Sequence, residues 1–103
     1  MNTRNKTKQR CREMYSAILQ LKTEEELMKF FDDLCTVIEL QAIEQRYQVA
    51  VLLEQGKIYN DILAETGASS ATISRVNRSL RYGAGGYAIA FDRLGISSGE
   101  EEK

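Results

Sequence analysis

Steps of three and four residues link Ser70 to Ser74, Ala71 to Ser74 and Arg75, and Ser74 to Arg78. On a helix such steps place side chains on one face. The chemistry of these groups is recognition rather than bond-making. Hydroxyls and guanidinium groups donate hydrogen bonds, and the small Ser and Ala side chains let a helix approach a surface closely. An arginine fork matches the two acceptors on a guanine edge, or two oxygens of a phosphate. Ile73, Val76 and Leu80 occupy the opposite face at the same spacing, so this helix also has a side for a core. Thr66-Gly67-Ala68 reads as a turn before it, because Gly67 can take the left-handed conformation that ends a helix. Ser69 or Ser70 can cap the new helix by accepting a backbone N–H. Upstream, Ile62 and Leu63 mark the inner face of a shorter helix. Residues 59–81 therefore read as a helix-turn-helix, whose second helix enters the major groove of double-stranded DNA.

That reading distributes roles. Ser70, Ala71, Ser74 and Arg75, with Ser69 beside them, lie at the N-terminal, outward part of the second helix and are expected at base edges. Arg78 and Arg81 follow one and two turns later and are expected on phosphates. Lys57 and Asn60 sit at the start of the first helix, whose N-terminal amides can also hold a phosphate. The alternative is a helical module that docks a protein, with DNA contact secondary. The acid-free second helix favours DNA.

Enzyme chemistry finds little to work with. The chain has no histidine, and its two cysteines, Cys11 and Cys35, fit no metal-binding spacing and read as free thiols. Glu24-Glu25-Glu26 falls in a helix's first turn, where the helix dipole favours acids. Asp32-Asp33 reads as a solvated face. No catalytic site, metal or cofactor is expected.

The elements that must position the motif are all helices. Tyr15, Ile18 and Leu19 stripe a first helix over 13–22. Thr23-x-x-Glu26 is a capping box for a second, in which Leu27, Phe30, Phe31 and Leu34 repeat at i, i+3, i+4 and i+7. Thr36-x-x-Glu39 starts a third, which runs to about Gln55, where Gly56 supplies the stop. Its segment Val49-Ala50-Val51-Leu52-Leu53 is apolar on every side and predicts burial all round. A lone domain of 103 residues can hardly provide that, so a homodimer is expected. After Tyr82-Gly-Ala-Gly-Gly86, read as a flexible joint, a last helix over 87–94 buries Tyr87, Ala90, Phe91 and Leu94. The organisation expected is a disordered basic arm over 1–12, a helical DNA-binding domain over 13–95 and an acidic tail over 96–103.

Composition sets outer limits. A hydrophobic fraction of 43% and a charged fraction of 28% are those of a globular chain. No apolar run spans a membrane and no secretory leader is read, so the expected location is cytoplasmic. The formal charge of −1 argues against a generic basic nucleic-acid binder. Its distribution matters more, since Arg4, Lys6, Lys8, Arg10 and Arg12 make one basic arm and Arg75, Arg78 and Arg81 make another basic patch. The field near the contact governs docking, and the acidic body predicts weak non-specific affinity.

Gly56-Lys57-Ile58, Gly67-Ala-Ser-Ser-Ala-Thr-Ile-Ser-Arg75 and Asn77-Arg-Ser-Leu80 resemble the core of the Trp repressor family, in its small bacterial YerC/YecD branch. The likeness covers roughly 14–94 and is sharpest in the second half. It implies an all-α, multi-helix domain with a helix-turn-helix, an intertwined dimer through the N-terminal helices, and a repressor's function. It also implies a ligand pocket, because in Trp repressors two arginines sandwich the corepressor's indole with a threonine and a serine nearby. Arg46, Arg75, Thr36 and Ser79 match those positions. Val76 departs from the pattern, since a glycine there lets the ring lie against the backbone. A branched side chain in that space costs about 1–3 kcal/mol, so a tryptophan response is not expected. A repressor controlled by tryptophan or by another small ligand stays open as an alternative, as do salt bridges or phosphate contacts for the two arginines.

Overall fold

A computed structural model describes residues 9–98 and contains six α-helices in that span. In chain order they are α1 (Arg12–Gln20), α2 (Glu24–Leu34), α3 (Val37–Glu54), α4 (Tyr59–Thr66), α5 (Ser70–Tyr82) and α6 (Gly86–Leu94). The chain divides into two compact units between Val37 and Ile38.

The first unit holds α1 and α2. Thr23 caps α2, its hydroxyl accepting the Glu26 amide at 3.0 Å. Glu26 reaches back, but to the Lys22 amide at 2.8 Å rather than to Thr23 itself. The box closes one residue early and still satisfies a donor ahead of the helix. Phe30 and Phe31 meet edge to face at 5.8 Å between ring centres. Neither helix contains a buried residue. Leu19, on the stripe with Tyr15 and Ile18, is 80% exposed. The reason is size, since nine and eleven residues cannot enclose one another's apolar stripes. Most of the expected basic arm lies outside the described residues. Arg10 is within them, and it donates to the Tyr15 hydroxyl at 2.9 Å from above the ring.

The second unit holds the core. Val49, Ala50 and Leu53 of α3, Ile62 of α4, Ala68 of the turn, Ile73 and Val76 of α5, and Phe91 of α6 form one buried cluster. Val51 and Leu52, on the other sides of α3, are only partly buried. Tyr47 and Tyr87 each pack a ring near Phe91, at 6.0 and 5.9 Å.

Helix ends in this unit follow local sequence. α3 stops where Gly56, at φ 86°, lets the Lys57 amide reach the Leu52 carbonyl at 3.0 Å, a glycine-centred C-terminal motif. α6 ends in the same way, with the Ile96 amide on the Phe91 carbonyl at 2.9 Å. That reversal corrects two expectations. Leu94 is 65% exposed rather than buried, and Ile96, assigned to the polar tail, packs against the core. The acidic run of the tail lies outside the described residues.

Candidate nucleic-acid interface

The turn between α4 and α5 is held by its own side chains. Gly67 closes α4 in the left-handed conformation, φ 73° and ψ 4°, its amide on the Leu63 carbonyl at 2.9 Å. The Thr66 hydroxyl donates to the Ile62 carbonyl at 2.8 Å and accepts the Ala68 amide at 3.1 Å. Ala68 is then buried under the turn. Of the two serines that could cap α5, Ser69 does so, accepting the Thr72 amide at 3.1 Å. From α3, Gln45 donates through its side-chain amide to the Thr66 carbonyl at 3.2 Å.

These contacts fix which way α5 faces. Ile73 and Val76 are buried and Leu80 is half-buried, as the spacing predicts. The opposite side presents Ser70, Ala71, Ser74, Arg75, Arg78 and Arg81, all exposed. No acidic residue lies anywhere on α5. Arg75 and Arg78 have no hydrogen-bond or ion-pair partner among the described residues. Arg81 is engaged, donating from Nε to the Asn77 side-chain oxygen at 3.1 Å. The i, i+4 spacing of Asn77 and Arg81 was a readable signal for that pair. Ser69 is exposed at the helix start, and Lys57 and Asn60 are exposed before and within the first turn of α4. The result is a helix seated on a core by one side, with hydroxyls and free guanidinium groups on the other.

The profile of the Trp repressor protein family matches residues 9–95. The chain belongs to the Trp repressor family. Its members are DNA-binding regulators rather than enzymes. Uncharacterized protein YerC of Bacillus subtilis (strain 168) is 51% identical over 82 residues, 80% of this chain and 79% of its own length. A crystal structure of a candidate Trp repressor from Staphylococcus aureus superposes with a TM-score of 0.79 at 52% identity, covering 82% of this chain and 85% of that one. The TrpR-like protein from Eubacterium eligens ATCC 27750 gives 0.80 at 49% identity, covering 84% and 89%. The all-α fold and the family resemblance read from the sequence are thus both found.

The positions matched by resemblance to the Trp repressor ligand pocket fall on three stretches of the chain. Arg46 is half-buried on α3, while Arg75 and Ser79 are exposed on α5. Thr36 lies just before α3, in the first unit. One cavity, of about 350 Å³, is lined by residues of α3 and α4, among them Tyr47, Val51 and Glu65. Another, of about 370 Å³, includes Ser79 with the glycine loop and Tyr87. Neither includes Arg46 or Arg75. Val76, expected from the resemblance to replace a glycine of Trp repressors, is 2% exposed and belongs to the core cluster. Among the described residues no helix is long and apolar enough to cross a membrane.

Proposed function

We propose that this protein is a sequence-specific, DNA-binding transcriptional repressor that acts as a cytoplasmic homodimer and does not respond to tryptophan. The observation that carries the reading is the two-sided character of α5. Ile73 and Val76 are buried, and the exposed side bears Ser70, Ser74, Arg75 and Arg78 with no acid on the helix. A face of that composition fits base edges at its N-terminal end and phosphates further along. Arg81, Lys57, Asn60, Ser69 and Ala71 complete the expected contact set.

Dimerisation is supported by what one chain leaves uncovered. α1 and α2 contain no fully buried residue, and Ile38 at the start of α3 is 78% exposed. A second copy of this chain is the partner proposed for these surfaces. In such a dimer the two recognition helices lie about one DNA turn apart, roughly 34 Å. Insensitivity to tryptophan is supported by Val76, whose side chain belongs to the core.

Selection of duplexes from a random pool by the purified protein tests the reading. The expected result is a paired, two-fold related sequence whose complex weakens as salt rises. Enrichment of no sequence, with no complex at low salt, would leave the protein-docking alternative.

A further inference from the structure

Tyr82 is the most exposed large apolar side chain among the described residues, at 84%. It is the last residue of α5. It follows Arg78 by four residues and Arg75 by seven, so the three line one stripe of the helix. That stripe lies on the side away from the buried Ile73 and Val76. Among the described residues the Tyr82 hydroxyl has no hydrogen-bond partner and the ring has no aromatic neighbour.

The position is also a fixed one. The Gly83 amide donates to the Ser79 carbonyl at 2.9 Å. A Cβ at Gly83 would run into that same carbonyl oxygen. Glycine is what allows α5 to close directly after Tyr82. A large ring with a free donor is therefore presented at the end of the recognition helix, which carries arginines and no acid.

We propose that Tyr82 donates its phenolic O–H to a backbone phosphate of DNA at the outer edge of each half-site. This inference rests on α5 being the groove-facing helix. Tyrosine is among the side chains that bond phosphate oxygens. Unlike Arg78, it is neutral, so its contact displaces no counterion and adds affinity without adding salt dependence.

The test measures Tyr82→Phe, Tyr82→Ala and Arg78→Ala on one selected duplex across a salt series. Tyr82→Phe should weaken binding about two- to tenfold, the span of one neutral hydrogen bond, and by the same factor at every salt. Tyr82→Ala should lose at least as much. Arg78→Ala should lose affinity and also flatten the salt slope. If Tyr82→Phe binds like the parent while Arg78→Ala is impaired, the phenol contact is wrong and the reading of α5 stands. A loss in Tyr82→Ala alone likewise overturns the hydroxyl contact. If none of the three changes binding, both fall together. Sedimentation of Tyr82→Phe should show the parent's mass, and a lower mass would move the tyrosine to a protein–protein contact and overturn the proposal.

Discussion

The Gln45 side-chain amide donates to the Thr66 carbonyl at 3.2 Å, joining the central helix to the residue that ends α4. Thr66 is already tied to Ile62 and Ala68 by its hydroxyl, so the turn is anchored both locally and from a distance. Gln45→Ala leaves a part-buried carbonyl without that donor. The expected cost is about 1 kcal/mol of stability, read as a lower urea midpoint with an unchanged slope. Full parental stability would show that water replaces the bond.

Arg75 and Arg78 should fail differently. Arg75→Ala is expected to cost about 1–3 kcal/mol and to relax preference at one base pair of each half-site. Arg78→Ala should weaken selected and scrambled duplexes alike and shallow the salt slope by about one unit per site. Uniform loss from both would make Arg75 a phosphate or pocket residue and leave specificity to the serines or to DNA shape.

Val76 carries the expectation that tryptophan does not bind. Calorimetry should detect no binding by the parent chain at sub-millimolar tryptophan. Val76→Gly should recover some binding. It should also lose about 2–4 kcal/mol of stability, since it empties a core position and puts glycine inside a helix. Tight binding by the parent would contradict the packing argument.

Assembly is testable through a residue that a single chain leaves in solvent. Sedimentation at micromolar concentration should give twice the chain mass. Leu19→Asp changes a side chain that is 80% exposed in one chain. On a free surface such a change is nearly silent, within about 0.5 kcal/mol. At a dimer interface it should shift the population towards monomer. A parent that sediments as a monomer with intact helicity would remove the case.

Gly83→Ala places a Cβ against the Ser79 carbonyl. The end of α5 must then shift. A loss of at least about 1 kcal/mol is expected in thermal or denaturant unfolding.

Much of this fold was legible because its signals are local. Thr23, Gly56, Gly67 and Ser69 each act on residues within a turn or two, so their types alone mark where helices begin and end. Ile62, Ile73 and Val76 were readable from spacing, since a helix's inner face is a matter of period. Leu94 and Ile96 were misread because period cannot register a chain reversal at Gly95. Gln45 was invisible for another reason, as its partner lies 21 residues away. Within the site, the composition of the outer face of α5 was plain. That Arg81 turns towards Asn77 while Arg75 and Arg78 stay unpaired depends on side-chain rotamers that residue types do not fix. Whether Arg46 and Arg75 could share a ligand was beyond the sequence, because pocket geometry depends on how helices cross.

α1 and α2 are helices of nine and eleven residues with no buried side chain. Helices so short are marginal in water without something to pack on. Their backbone amides should therefore trade hydrogen for deuterium quickly whenever the segment stands alone, while those around Ile62 and Ile73 wait for global opening. Slow exchange between Arg12 and Leu34 would then report, residue by residue, how often these helices are covered.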